Sequence, residues 1–472
     1  MSADASLALL GAAELLRGYR ARAISPVDVV RAALAVIAGR NPGLNALVFV
    51  DDEHALTAAS DSERRWRSGT PCGSLDGVPV TVKDLCDTAG MPSRSGSLTT
   101  SDAPATQDAP AVARLREAGA IVLGKTAMCE FGWKGVTDSP LFGVSRNPVN
   151  PERTCGGSSG GAAIAAATGM GVLHLGSDGA GSIRIPAAFC GVYGFKATFG
   201  RVPVYPPGRM ALGHQGPLTR TVEDAALMLG VIARPDARDP LALPHSPVDY
   251  RESLDQGVSG WRIAYCPALC GARPDPDVLE RVTAAAREFE SLGAHVDEIE
   301  TPIRDPRPYF DDMWAASMAQ IYRKVPEHAR STLDPGFAAV ARAGLALDAN
   351  ALLDAIAARL RDGTTMGRFH ERYDLLLTPQ MPTTAFAAGI DHPTGLSSWL
   401  DWSPYTYAFN WTQQPAASIP CGTGRDGMPV ALQIVGARFA EARVLRASRA
   451  YEASREKNVQ CSPPHRPSRS LS

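Results

Sequence analysis

Nowhere does the 472-residue chain hold a run of about 18 apolar residues, the length a membrane-spanning helix requires. The nearest approach, Ala162 to Leu175, is short and interrupted by Gly169 and Gly171; it reads as a buried helix followed by a strand. Charge of one sign is missing as well. Lys and Arg total 47 against 49 Asp and Glu, a net charge of -2, so there is neither a basic footprint for nucleic acid nor an acidic tail. Cysteine is sparse: 9 residues, an odd number, scattered along the chain, which is not a disulfide framework. Cys266 and Cys270 stand four apart, but no second Cys or His pair at ligand spacing accompanies them, and no metal site is expected. A reducing cytoplasm is the simplest reading of these thiols. Met1 to Leu16 lacks the positive region, apolar core and small-residue cleavage site of a signal peptide, and reads as a helix.

What is present is enough apolar material, 45% of residues, for a large core. Length alone would suggest two to four domains of about 100–200 residues. Residues 1–66 read as helical, with Ser25-Pro26-Val27-Asp28 as a helix start. Val78, Val80 and Val82 then alternate with Pro79, Thr81 and Lys83, the period-2 pattern of a strand with Lys83 near its end. A helix over Ala109–Ala118 and a strand over Ala120–Gly124 follow. Further on, helices are expected over Ala162–Thr168, Thr221–Leu229, Asp275–Leu292 and Ala440–Ala453, and mostly helix over 308–372. Strands are expected over Val172–Gly176, Trp261–Tyr265, Ala294–Glu298, Leu375–Pro379 and Ala431–Val435. This alternation argues for an α/β layered architecture.

Three segments carry the chemistry: Gly77-Val78-Pro79-Val80-Thr81-Val82-Lys83-Asp84, Gly156-Gly157-Ser158-Ser159-Gly160-Gly161, and Ser177-Asp178-Gly179-Ala180-Gly181-Ser182-Ile183-Arg184-Ile185-Pro186-Ala187. Taken singly, a lysine at a strand end is ordinarily a solvated charge, and a Gly/Ser run is ordinarily a linker or a tight turn. A linker, however, is not followed at once by an apolar helix, and a loop buried between core elements must find partners for its backbone. A phosphate-cradling loop fails in detail, because Ala162-Ala163 stand where that motif needs Lys and Ser/Thr.

Together the three segments resemble the amidase signature family of serine hydrolases, with its Gly-Gly-Ser-Ser-Gly-Gly intact and its spacing between Lys83, Ser158 and Ser182. Similar stretches at 191–202, 216–224, 414–422 and 427–436 extend the resemblance over nearly the whole chain, with 236–373 the least informative part. The resemblance implies one α/β domain over 1–460, a large mixed β-sheet flanked by α-helices. Its core signature would span about 67–230 and its variable, mostly helical region about 236–373, with 461–472 a disordered tail. It implies Ser182 as nucleophile, Ser158 (on a cis peptide) as proton relay and Lys83 as base. Ser159 would belong to the hydrogen-bond network, and the N–H groups of Gly179, Ala180, Gly181 and Ser182 would form an oxyanion hole. The chemistry suits these residue types: a serine needs a base, and a lysine becomes one when burial lowers its pKa toward roughly 7–8. Asp178 and Arg184 are expected to form an ion pair bracing the turn, against the alternative of two ordinary surface charges.

Two positions depart from the family pattern. Ala180 stands where a glycine is usual, and Cys155 replaces the usual proline before Gly156; neither removes a reactive group. Cys155 and Cys129 are expected to be buried structural thiols rather than nucleophiles. The expected activity is hydrolysis of aryl or alkyl amides and anilides, with carbamates and esters attacked in the same way, without cofactor or metal. The expected partner is a small-molecule amide or carbamate, with no nucleic acid and no membrane, in a monomer or homodimer. The substrate pocket is expected from the aromatic and Met residues of the variable parts: Met128, Phe131, Trp133, Tyr205, Trp314, Met318, Trp399 and Trp402, with Tyr405 and Phe409 beside the loop-like stretch 395–398. Two other readings compete: the amidase subunit of a tRNA-dependent amidotransferase, which releases ammonia from glutamine, and a binding protein on the same fold that has lost catalysis.

Overall fold

The computed structural model describes residues 6–207 and 212–461. The chain opens with α1 (Ala12–Arg20) and α2 (Pro26–Leu44), then β1 (Leu47–Val50) and α3 (Asp52–Ser68). β2 (Pro79–Lys83), α4 (Pro110–Glu117) and β3 (Ile121–Thr126) follow, then a small hairpin of β4 (Asp138–Ser139) and β5 (Gly143–Val144). The next elements are α5 (Gly160–Thr168), β6 (Leu173–Asp178), α6 (Arg184–Cys190), β7 (Tyr193–Lys196), β8 (His214–Thr219) and α7 (Val222–Ile232). β9 (Arg262–Tyr265), α8 (Pro276–Ser291) and β10 (His295–Glu298) lead into the helical stretch α9 (Arg307–Tyr322), α10 (Pro335–Leu345) and α11 (Ala349–Phe369). The chain closes with β11 (Leu375–Pro379), α12 (Pro404–Trp411), β12 (Ala416–Thr423), β13 (Pro429–Gly436) and α13 (Glu441–Cys461).

Eleven strands form one mixed sheet in the order β1-β3-β2-β6-β8-β7-β12-β13-β11-β9-β10. The pairs β3–β2, β2–β6, β11–β9 and β9–β10 are parallel, and the rest antiparallel. Along β3 the side chains alternate between two cores. Val122 joins the large cluster with Val80, Val82, Leu175 and Phe289, while Ile121 and Leu123 join a second with the alanines of α5. That alternation is the period of a strand covered on both faces. The α/β class with a large mixed sheet flanked by helices is therefore the one read from the sequence.

The sequence reading differs from the fold in three places. Within 1–66, Leu47–Val50 is a strand paired with β3 rather than helix; Asn45, in the left-handed region at φ 52, stops α2 and frees this short apolar run. Strands β7, β8 and β12 went unread because each contains Gly or Pro, such as Gly194, Gly216, Pro217, Pro420 and Gly422, which weaken the strand signal. Gln460 and Cys461 extend α13, and the tail expected beyond them lies outside the described residues.

Helix α7 starts where Thr221 caps it, its side chain accepting from the Asp224 N–H. Asp224 itself is buried and joins α7 to α1: Oδ1 accepts the Ala13 N–H at 3.3 Å, while Oδ2 has no partner among the described residues. Burial pushes its carboxyl up to about 6, above the ordinary aspartate value of about 3.9. The native state thus holds a proton that the unfolded chain has released, and stability should fall as pH rises from about 4 to about 6. Asp224→Asn should flatten that part of the curve, read as chemical-denaturation midpoints across the interval. An unchanged slope would show that Asp224 is ionised in the native protein.

Candidate active site

The last residue of β2 is Lys83, and the whole strand is buried. Its neighbour β6 ends on Ser177 and Asp178, and the 156–161 loop enters from the other side to start α5. Lys83 Nζ lies 2.7 Å from Ser158 Oγ, 2.8 Å from Ser159 Oγ and 2.9 Å from Ser177 Oγ. Ser159 is pinned elsewhere as well: its hydroxyl donates to Ser177 O (3.0 Å) and accepts from Ser177 N (3.2 Å). Its backbone N–H reaches Ser182 O at 3.1 Å, which fixes the Ser158 loop against the turn that carries Ser182. The Gly157–Ser158 peptide is cis. A Cβ on Gly157 would overlap the Val136 backbone, so the loop is wedged between core segments and is no linker. Thr137 Oγ1 clamps it, donating to Gly156 O (2.8 Å) and accepting from Gly160 N (3.0 Å).

Ser182 stands at the end of the turn and is buried, as are Lys83 and Ser158. The turn is built on Asp178. Its carboxylate meets Arg184 through two bonds, Nε to Oδ2 at 2.9 Å and Nη2 to Oδ1 at 3.0 Å, with both side chains fully buried. Oδ1 also accepts from Gly181 N (2.7 Å) and Asn410 Nδ2 (2.9 Å), and Oδ2 from Ile183 N (3.2 Å). Arg184 is completed by Gln433 Oε1 (2.7 Å) and Asn410 Oδ1 (2.6 Å). Burial alone would raise the Asp178 carboxyl; the adjacent guanidinium and these donors outweigh it and hold the group well below the usual carboxylate range.

Gly181 has φ +124, and a Cβ there would stand 2.6 Å from Thr406 Cβ, so only glycine fits. Thr406 Oγ1 in turn donates to Ala180 O at 2.5 Å. Because the Gly181 N–H is spent on Asp178, three of the four expected oxyanion donors remain: the N–H groups of Gly179, Ala180 and Ser182 meet no acceptor among the described residues. Cys129 and Cys155 are both buried, and burial pushes their thiols up to about 11 and about 12; neither is a thiolate at neutral pH.

The predicted pocket residues divide. Trp133, Trp314, Met318, Trp399 and Trp402 fall in one apolar cluster that also holds Ala180 of the turn and Phe189 of α6. Phe131 packs at its margin, 5.2 Å from the Phe337 ring. Trp133, Trp314 and Trp399 border a cavity of about 460 Å³. Gly135 lets Trp399 and Trp402 pack on the backbone that leads to Val136 and Thr137, and so to the Ser158 loop. Lys134 anchors this segment through Asp138 (2.6 Å), Asp334 (3.1 Å) and Asp391 (2.6 Å). Four residues stand apart from the expectation. Tyr205 lies under Arg238, 5.5 Å from ring centre to guanidinium. Tyr405 and Phe409 face another cluster, beside Leu376 and Val435, because α12 turns those two positions away from the cavity. Met128 is buried outside the aromatic cluster.

Ser177, Asn410, Gln433 and Thr406 were not singled out from the sequence. Ser177 and Gln433 carried a signal, since Ser177 lies in the second Gly/Ser segment and Gln433 in the family-like stretch 427–436; Thr406 and Asn410, more than two hundred residues along the chain, carry none. Among the described residues no three His, Cys, Asp or Glu side chains group to hold a metal ion.

The family described as Amidase matches residues 28–445. An acylamidase from Rhodococcus erythropolis is 36% identical over 462 residues, covering 96% of this chain and 97% of that protein. A glutamyl-tRNA(Gln) amidotransferase subunit from Myxococcus xanthus is 35% identical over 466 residues, covering 93% and 96%. The crystal structure of a bacterial aryl acylamidase of the amidase signature enzymes superposes with a TM-score of 0.87 at 31% identity, covering 97% of this chain and 99% of that one.

Arg184→Met should leave Asp178 charged and buried without its counter-ion, which destabilises by about 3–5 kcal/mol. Urea denaturation measures it; a loss below about 1 kcal/mol, the range of an exposed pair, would contradict the bracing role.

Proposed function

Because the chain belongs to the amidase family and is an amide-hydrolysing enzyme, we propose that it cleaves aryl and alkyl amides through an acyl-enzyme on Ser182. Anilides and carbamates of aromatic amines fall in the same class, since each offers a carbonyl carbon to the same attack. The observation that carries this reading is the seating of Lys83 Nζ among three serine hydroxyls at 2.7–2.9 Å. A neutral amine there has two protons for Ser159 and Ser177 and a lone pair for Ser158, the donor–acceptor arrangement of a base.

Ser182 Oγ attacks the carbonyl carbon. Its proton passes to Ser158 Oγ, and the Ser158 proton passes to Lys83 Nζ. The tetrahedral oxyanion is held by the N–H groups of Gly179, Ala180 and Ser182, donors that need no rearrangement when charge develops. As the C–N bond breaks, the proton returns through Ser158 to the leaving amine. Water then attacks the Ser182 ester with the same relay as base, releasing the acid and restoring the serine. Asp178 and Arg184 act at one remove, by holding the turn.

The apolar class of substrate is supported by the acylamidases among the relatives and by the aromatic cluster that packs on Ala180 of the turn. The tryptophan-lined cavity also carries Arg307, Asp311, Asp391 and His392, so its lining alone does not exclude glutamine. Amine release from an anilide, an aryl carbamate, a short aliphatic amide and glutamine, compared by kcat/KM, tests the choice. The anilide should lead; glutamine as the best substrate would favour the amidotransferase reading instead.

Ser182→Ala should lower turnover by roughly 10⁴-fold or more with an unchanged denaturation midpoint, and a serine-directed phosphonate should attach to Ser182 by mass spectrometry. Attachment at Ser158, Ser159 or Cys155 would reassign the nucleophile. Lys83→Ala should cost about 10²–10⁴-fold on an anilide and less on an ester with a good leaving group, because only the amine must be protonated as it departs. Equal losses on both would remove Lys83 from the acid step.

A further inference from the structure

A peptide group is planar and trans, so the carbonyl of one residue and the N–H of the next point in opposite directions. Whatever grips the carbonyl therefore aims the N–H. For Ser182 the backbone does this: Gly181 O accepts from Ile185 N in the first turn of α6, at 2.7 Å. For Gly179 two side chains take that part. Asp178 O, which shares a peptide group with the Gly179 N–H, lies 3.1 Å from His214 Nδ1 and 3.0 Å from Asn410 Nδ2. His214 opens β8 and is paired with Asp178 at the end of β6. Its ring is buried and stands edge-on to Phe199 at 5.6 Å. Nδ1 also lies 2.9 Å from Leu212 O. An imidazole nitrogen that faces two carbonyl oxygens carries the proton, so the Nδ1–H donates to both. Nε2 keeps the lone pair, buried and without a partner among the described residues. Burial holds the imidazole well below its ordinary pKa, so the ring stays neutral at the pH of the reaction.

We propose that His214 is a positioning residue for the oxyanion hole: its Nδ1–H holds the Asp178 carbonyl and so aims the Gly179 N–H at the developing charge. This rests on the reading of that N–H as an oxyanion donor. The 178–179 peptide plane rotates about Asp178 ψ and Gly179 φ, and a glycine does little to resist the rotation. The bond to Leu212 O, two residues back along the chain, keeps the ring from swinging off the carbonyl. Asn410 grips the same oxygen, but it also bonds Asp178 Oδ1 and Arg184, so its removal would disturb the ion pair as well. Among the described residues His214 makes no hydrogen bond to either charged side chain, and it reaches the turn through this carbonyl.

Three variants test the assignment. His214→Leu and His214→Phe lack the donor and differ in shape, whereas His214→Asn carries an amide N–H in the place of Nδ1. Removing one oxyanion donor costs about 10²–10³-fold in turnover. A donor kept but misaimed should cost part of that, so the donorless variants should lower kcat on an anilide by about tenfold or more, with KM within about threefold of wild type. The trifluoromethyl ketone analogue of the anilide adds Ser182 Oγ to its carbonyl carbon and sets the resulting oxyanion in the hole. Its inhibition constant should rise in the donorless variants by the factor that kcat/KM falls, a readout that altered packing alone would not move. His214→Asn should stay within a few-fold of wild type on both measures. Rates are taken per folded chain, from denaturation curves. Donorless variants with wild-type kcat and ketone affinity would overturn the proposal, as would a loss confined to KM. So would a loss of about tenfold in His214→Asn, which decides the matter even where a donorless variant fails to fold. A ketone that does not protect Ser182 of the wild type from phosphonate labelling would overturn the oxyanion reading, and the proposal with it; protection in the wild type with unchanged donorless variants would overturn the proposal alone.

Discussion

The buried pairing of Asp178 with Arg184 is the constraint on which the rest of the site depends. Two charges in the interior are costly unless every remaining lone pair and proton is satisfied. Here they are satisfied by the turn itself, through the Gly181 and Ile183 N–H groups, and by Asn410 and Gln433 from distant strands and helices. The ion pair therefore dictates the course of the backbone between residues 178 and 184. The position of Ser182 and the availability of the Gly179, Ala180 and Ser182 N–H groups follow from that course. Ser159, bonded to both Ser177 and Ser182, then carries the alignment across to the Ser158 loop and to Lys83.

The aromatic cluster beside the turn is organised by a different force. Where the turn is held by hydrogen bonds to charge, the neighbouring wall is held by packing of large rings. The Phe189 and Trp402 rings stack at 6.0 Å, and Trp314 meets Trp399 edge-on at 5.8 Å. Gly135 lets the Trp399 and Trp402 rings come close to the backbone leading to the Ser158 loop, and Gly181 lets Thr406 come close to the Ser182 turn.

Much of this was legible in the sequence where the information is local. Val78 to Lys83 announced a strand, Thr221 a helix start, and the Gly/Ser segments a buried loop and turn. What escaped notice depends on contacts between distant parts of the chain. Nothing near Asn410 or Gln433 says that they complete an arginine more than two hundred residues away. Likewise, aromatic composition identified the rings around the cavity without saying which side of α12 faces it, so Trp399 and Trp402 joined the cluster while Tyr405 and Phe409 did not. Strands rich in Gly and Pro, such as β8, escaped for a related reason: their pairing is imposed by neighbours, Gly216 admitting the backbone of Phe195, and not by their own propensity.

One consequence concerns the order in which the chain is made. The residues at Lys83, Ser158 and Ser182 all lie in the first two-fifths of the sequence, but the side chains that complete Arg184 come from residues 410 and 433, and the sheet is not continuous until β13 joins β12 to β11. A nascent chain carries its full chemical equipment long before the turn around Ser182 can be held in shape. The turn around Ser182 therefore takes its shape only when residues from the last seventh of the chain are in place.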